Sequence, residues 1–140
     1  PGDFIGTDRA KYLINATTLP DSTLEPIDVN WQGQVFSTGS NQTFADWVVT
    51  FRMDKDGRLR KNFLDWHRAI HNPETNVHGN PNDYMRDQEV WHLNPQGDPI
   101  QKLQLISAWP TTIAGYTLDY GTKEYVTFDV TFKYLYYKLL

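Results

Sequence analysis

His67 and His71 stand four residues apart, the spacing that puts two imidazoles on one face of a helix, as in two-histidine zinc sites. That chemistry also needs a glutamate directly after the first histidine, and Arg68 occupies the position. Cysteine is absent, and His78 and His92 offer no recognisable ligand spacing, so no metal or cofactor is expected and His67 reads as a packed or hydrogen-bonded residue. Asp54-x-Asp56-Gly57 has the centre of a calcium loop, but the flanking ligand positions would fall on Arg52 and Phe63, neither of which supplies a carboxylate. These aspartates are instead expected to cap a helix. There is no Gly-x-Ser-x-Gly elbow, P-loop or GxGxxG element, and nothing selects a glycosidase pair among the 17 carboxylates. No catalytic residues are therefore assigned and an enzyme is not expected. Arg52, Lys55, Arg58, Arg60, Lys61 and Arg68 bunch together with Asp54, Asp56 and Asp65 among them. This is the pattern of a solvated helix face, suited to meeting an acidic surface such as another copy of this acidic chain.

The elements that would carry these groups are mostly strands. The chain has 140 residues, 20 of them aromatic (5 Trp, 8 Tyr, 7 Phe), and a formal net charge of −4. That length predicts one domain over 1–140, and so many aromatics among few aliphatics predict β-structure. No apolar run approaches the roughly 20 residues of a membrane-spanning helix. The acidic balance argues against a dedicated nucleic-acid binder. Strands are predicted over 11–18, around Ile27, Val29 and Trp31, from Trp47 to Met53, over 84–93, over 100–109 ending at Trp109-Pro110, and from Ile113 to Tyr120. Residues 20–26, 37–43 and 72–83 read as loops. Between them, Leu59, Phe63, Trp66 and Ile70 recur at helical spacing, predicting one helix over about 57–71 that starts at Asp54 or Asp56 and stops at Asn72-Pro73.

The clearest pattern runs over 125–137, where Val126, Phe128, Val130, Phe132, Tyr134 and Tyr136 alternate with Thr127, Asp129, Thr131 and Lys133. Thirteen residues at ~3.3 Å each reach about 43 Å. A compact domain of this length would be roughly 37 Å across. Either the strand bends at a bulge inside a monomeric sandwich, or it belongs to a wall completed by neighbouring copies, since a long open edge is normally blunted or paired.

The order of motifs resembles the tail tube proteins of contractile-tailed bacteriophages. Ser40-Asn-Gln-Thr-Phe44-Ala-Asp-Trp47-Val-Val-Thr-Phe51, then Arg60-Lys-Asn-Phe63-Leu-Asp-Trp66, looks like that family's loop, strand and Phe-x-x-Trp helix. Trp109-Pro-Thr-Thr-Ile113, Leu118-Asp119-Tyr120 and Thr127-Phe-Asp-Val-Thr-Phe132 resemble its closing segments, and Ala16-Thr-Thr-Leu-Pro20 its early one. The resemblance implies a mainly β (α+β) fold: two packed antiparallel sheets forming a sandwich or barrel with one flanking helix, the inner sheets of six copies joining into a ring. Rings would stack into a hollow tube inside a sheath, conducting DNA during ejection without gripping it. Implied partners are further copies of the chain, the sheath protein, a baseplate or tube initiator, a tape-measure protein and DNA in transit, with no membrane anchor. The implied location is the virion tail, assembled in the host cytoplasm. Expected lumen-facing residues are Thr50, Arg52, Thr127, Asp129, Thr131 and Lys133. Expected subunit or ring contacts are Ser40, Asn41, Gln42, Thr43, Phe44, Asp46, Asn76 and His78. Ser-Asn-Gln-Thr replaces the family's acidic-basic Asp-Arg-Thr, and the family's first apolar strand ahead of Lys11 is hinted at only by Phe4-Ile5. Other readings are a type VI secretion or other contractile-injection tube protein, a tube initiator or terminator, a β-sandwich carbohydrate-binding module using exposed Trp and Tyr, and a small hydrolase.

Overall fold

A computed structural model describes residues 14–53, 56–116, 121 and 126–140. The expected N-terminal strand, the candidate cap Asp54, the segment 117–120 and residue 125 of the predicted last strand lie outside those residues, as does part of the predicted strand over 11–18.

The chain is mainly β. Strands β1 (Ile14–Thr17), β2 (Ser22–Trp31), β3 (Gln34–Phe44) and β4 (Trp47–Arg52) precede helix α1 (Arg58–Ile70). Two-residue strands β5 (His71–Asn72) and β6 (Val77–His78) and a four-residue helix α2 (Pro81–Tyr84) follow. Strands β7 (Arg86–Leu93), β8 (Pro99–Ile113), β9 (Thr127–Lys133) and β10 (Tyr136–Leu139) complete it. One antiparallel six-stranded sheet runs β1-β4-β9-β8-β10, with β7 on β8. It curls into a half-barrel whose two halves are joined through β8.

Period-two alternation builds the core. Trp47, Val49 and Phe51 of β4 and Phe128, Val130 and Phe132 of β9 are buried, and across the ladder each β4 residue faces its β9 counterpart. Leu59, Phe63 and Trp66 of α1 cover that face as the helical stripe predicts, with Ile70 half-buried. Phe63 sits at the centre, its ring 5.1 Å from Phe51, 6.2 Å from Phe128 and 6.0 Å from Phe132. Such clustered rings add attraction beyond area burial, about 0.5–1.5 kcal/mol per pair. The indole of Trp66 donates to the Tyr84 carbonyl at 2.7 Å, which ties α2 beneath the helix.

Several expectations are corrected. The helix cap is Gly57 in the left-handed region (φ 66), not an aspartate side chain; Asp56 instead makes a 3.9 Å surface ion pair with Arg58. Residues 20–26 and 37–43 are not loops: most of them belong to β2 and β3, a hairpin closed by Gln32 and Gly33, both at positive φ. The stretch 72–83 is no plain loop either, since β5 pairs with β6 and α2 follows.

Strand β8 does not break at Trp109-Pro110 but runs on to Ile113, and 114–116 beyond it are not strand. Pro110 lies at a register shift opposite β9, where a missing amide donor is tolerated. Trp109 does not share a face with Leu103 and Leu105, because Ser107 at φ 55 adds one residue and moves burial to Ala108 and Pro110. The Asp87 carboxylate stabilises this bulge by accepting the Ser107 amide at 2.9 Å.

The described part of the strand predicted over 125–137 is interrupted, and without a register shift at the break. It divides into β9 and β10, with Tyr134 and Leu135 between, yet both pair with β8: Lys133 opposes Trp109 and Tyr136 opposes Ile106. The pairing resumes in phase, so the chain follows the curl of β8 across the break without exchanging partners.

Candidate functional site

Among the described residues, no three His, Asp or Glu side chains are grouped to hold a metal ion. His67 lies against β8, its Nε2 3.0 Å from the Pro110 carbonyl oxygen, and burial pushes its pKa below the ordinary 6.5. His71 opposes His78 across the β5–β6 pair with rings stacked 4.4 Å apart. The chemistry available here is that of surfaces, and three stand out.

The first is the outer face of the β4–β9 ladder. Thr50 opposes Asp129 and donates to its carboxylate at 2.7 Å, Arg52 opposes Thr127, and Val48 opposes Thr131. Opposed residues share a face, so Thr50, Arg52, Thr127, Asp129 and Thr131 are brought together on the side away from the aromatic core, with Lys133 next in the alternation. Thr112 of β8, opposite Thr131, and Ala16 of β1, opposite Thr50, extend it. These two and Val48 were not among the expected wall residues; alternation along one strand does not reveal which neighbours continue its face. The resulting wall is mostly polar over an apolar backing, with the charges of Arg52, Asp129 and Lys133 among threonines and with Val48 exposed between them.

The second surface is the β2–β3 hairpin. Every residue of β2 is exposed, as are all of β3 except the half-buried Phe44. Ile27, Val29 and Trp31 share one face with Phe36, which opposes Val29; Asp28, Asn30 and Ser37 occupy the other, where Ser37 donates to Asp28 at 2.6 Å. Trp31 is 64% exposed. A two-stranded ribbon with an uncovered apolar face is marginal in water and presents a contact surface.

The expected contact residues divide between two hairpins. Ser40 to Phe44 lie on β3, where Gln42 donates to Ser22 at 2.6 Å and Phe44 packs its ring 5.0 Å from that of Tyr137. Tyr134 anchors this root by donating to the Ala45 carbonyl at 2.6 Å. Burial first, then Tyr137, Asp46 and Asp21, push its pKa up to about 12, so the hydroxyl keeps its proton. Asn76 and His78 belong to the separate β5–β6 pair, Asn76 at the turn with φ 54.

The third surface is a groove of about 660 Å³ between α1 and β8. Leu64, Ile70, Trp109 and Pro110 line it with Lys61 and Arg68, and Asp65, His67, His71, Pro73 and Thr111 complete it. Arg68 reaches Glu74 at 3.7 Å. The sequence signal was the basic bunch itself; what hid the groove is that Trp109 and Pro110 come from a strand some forty residues away.

The carbohydrate-binding reading finds no support. Trp47 and Trp66 are core residues, while the exposed Trp31 and Trp91 sit on different ribbons, Trp91 being held under the Lys102 ammonium at 4.4 Å.

Comparisons with known proteins agree with a surface-built function. The chain is 27% identical over 123 residues to the tail tube protein gp19 of Enterobacteria phage T4, covering 86% of this chain and 76% of gp19. The fold matches tube-containing assemblies of the PVC extracellular contractile injection system. One is the sheath/tube terminator in the extended state, with a TM-score of 0.72 at 13% identity, covering 91% of this chain and 84% of the other. The other is the sheath-tube complex, with a TM-score of 0.71 at 13% identity, covering 91% and 80%. The family model described as phage tail tube protein matches residues 2–140. With nearly its whole length matched and its conspicuous features a one-sided wall and uncovered contact surfaces, the chain belongs to the phage tail tube protein family and is a structural component of the virion tail.

Proposed function

We propose that six copies of this chain close into a ring and that rings stack into a hollow tube that conducts DNA during ejection. The observation that carries this reading is the β4–β9 ladder, buried to 0% exposure at Val49 and Val130 on one face and, apart from Val48, polar on the other. Such a sheet suits a barrel wall, and its free edges call for neighbours: among the described residues β1 and β7 each pair on one side only. In the assembled ring Thr50, Arg52, Thr127, Asp129, Thr131 and Lys133 face the lumen. Three threonine hydroxyls and three charged groups, Arg52 and Lys133 against Asp129, leave a local balance of only +1 in an acidic chain, too little fixed charge to hold phosphate, so DNA passes without being gripped.

Ser40, Asn41, Gln42, Thr43, Phe44 and Asp46 at the hairpin root, and Asn76 and His78 on the β5–β6 pair, make contacts between subunits or rings. A sheath around the tube, a baseplate initiator below it and a tape-measure protein within it are the remaining partners; the sheath is supported by the sheath–tube assemblies whose fold the chain shares. A phage tail is favoured over another contractile injection system by the 27% identity to a phage tube protein against 13% for the injection-system tubes. The chain acts without cofactor and as a non-enzyme.

Sedimentation velocity over a concentration series, with negative-stain images of the largest species, tests the reading. Sixfold rings or hollow stacks are expected. A chain that stays monomeric at high concentration, with and without an initiating baseplate, overturns it.

A further inference from the structure

We propose that His71 and His78, facing each other across the β5–β6 pair, form a two-histidine site for a divalent ion of the imidazole-preferring kind, Zn²⁺, Ni²⁺ or Cu²⁺. The site lies within one copy and does not depend on assembly.

The site begins where the helix ends. Histidines four apart share a helix face only while the helix continues, and at His71 it has stopped: φ −148 and ψ 119 are extended backbone. His67 instead turns to β8, its Nε2 3.0 Å from the Pro110 carbonyl oxygen. What His71 meets is His78, its register partner, with ring centroids 4.4 Å apart and the planes inclined by 26°. The Gly79 amide donates to the Ile70 carbonyl at 2.8 Å, so residues 70 and 79 form the hydrogen-bonded pair. His71 and His78 are then the non-hydrogen-bonded pair next to it, the position at which facing side chains of an antiparallel ladder come closest.

Distances decide whether one ion can reach both rings. Metal–imidazole bonds of about 2.0–2.1 Å allow two nitrogens on one ion to lie up to about 4.2 Å apart. The ring separation of 4.4 Å is already near that limit, so side-chain rotation alone brings a nitrogen of each ring within bonding distance. The backbone beneath is held in place. Asn76 donates its amide to the Asn72 carbonyl at 2.8 Å, Glu74 donates its amide to Asn72 Oδ1 at 3.0 Å, and a Cβ at Gly79 would overlap the Ala69 carbonyl. Such pre-organisation lowers the cost of binding.

His78 is exposed and His71 half-buried, so water reaches the remaining coordination positions. Nitrogen donors disfavour Mg²⁺ and Ca²⁺, which take oxygen ligands. Of the nearby cations, Arg68 is offset by Glu74 at 3.7 Å, and Lys61 lines the adjacent groove together with Asp65. Because β5 follows directly from α1, an ion joining His71 to His78 fastens the hairpin to the end of the helix that covers the core. It is a clasp on a surface element, not a cofactor of the tube.

Calorimetric titration of the untagged chain with ZnCl₂ tests the site, with nuclear magnetic resonance spectra of the histidine rings recorded alongside. A single Zn²⁺ is expected to bind per chain, and the ring signals of His71 and His78 should move together while those of His92 stay in place. His71→Gln and His78→Gln should each weaken binding by about tenfold or more, since losing a ligand costs no less than losing a supporting partner. His92→Gln should leave it unchanged.

No binding by the wild-type chain overturns the inference, as does binding that survives undiminished in either His71→Gln or His78→Gln. Ring shifts confined to other histidines also overturn it, and that readout on the wild-type chain is independent of how the variants fold.

Discussion

The β4–β9–α1 core and the β2–β3 hairpin are built from the same kinds of residue, aromatic and β-branched side chains alternating with polar ones, yet their fates are opposite. In the core, Val49, Phe63 and Val130 have no exposed surface, while in the hairpin Trp31, Val35 and Leu24 are mostly exposed. The first region is closed by its own helix, so its alternation is satisfied within one copy. The second is closed by none of the described residues. Apolar patterning thus has two outcomes here: where a described partner element covers it, it builds the core, and on the hairpin it leaves an exposed face that the proposed assembly would use.

The contrast can be broken most severely in the core. Phe63→Ala should lower unfolding free energy by about 3–5 kcal/mol, since it leaves a cavity among Phe51, Phe128 and Phe132; denaturant titration of the monomer measures it. Next comes Gly79→Ala. A Cβ there would overlap the Ala69 backbone carbonyl, and the Gly79 amide donates to Ile70 at 2.8 Å. Roughly 1–3 kcal/mol should be lost as the β5–β6 pair is pushed off the helix end, with raised hydrogen exchange at 77–79.

Asp87→Ala removes the acceptor of the Ser107 amide and should cost about 1 kcal/mol, read as a fall in thermal midpoint. Trp31→Ser marks the other side of the comparison: monomer stability should stay within about 0.5 kcal/mol of wild type, while assembly measured by light scattering collapses. A large loss of monomer stability on Trp31→Ser would mean that the hairpin is packed in the single copy after all.

The smallest effect concerns pH. Burial holds the His67 pKa below 6.5 in the folded chain, so the unfolded chain takes up the proton more readily. Its contribution to stability is present above about 6.5 and is lost as the pH falls through that value towards the folded pKa. The thermal midpoint should therefore decline on acidification through this window, less steeply in His67→Gln, whose amide can still donate to Pro110.

Much of the fold was legible because it is repetitive. Alternation in 47–53 and 127–133 and the Leu59-Phe63-Trp66-Ile70 stripe give the wall and the helix that covers it directly. The hairpin was not, because residues 37–43 are Ser, Thr, Gly, Asn and Gln, a loop-like string held extended by backbone pairing to β2. The path of β8 was hidden by one residue: Ser107 at positive φ shifts the parity, which no alternation rule anticipates. Of the candidate surfaces, the polar side of β9 could be read from its sequence, whereas the α1–β8 groove depends on contacts between distant segments. That Ile27, Val29 and Trp31 alternate was visible; that none of the described residues covers them is a tertiary fact.

The central claim is that this chain is one segment of a shared wall. A cryo-electron microscopy reconstruction of the assembled protein tests it most directly. The account predicts sixfold rings in which β4 and β9 of every copy line a central channel with Thr50, Asp129 and Thr131 facing inward. A map placing those residues on the outer surface, or in a closed monomeric particle, would contradict it.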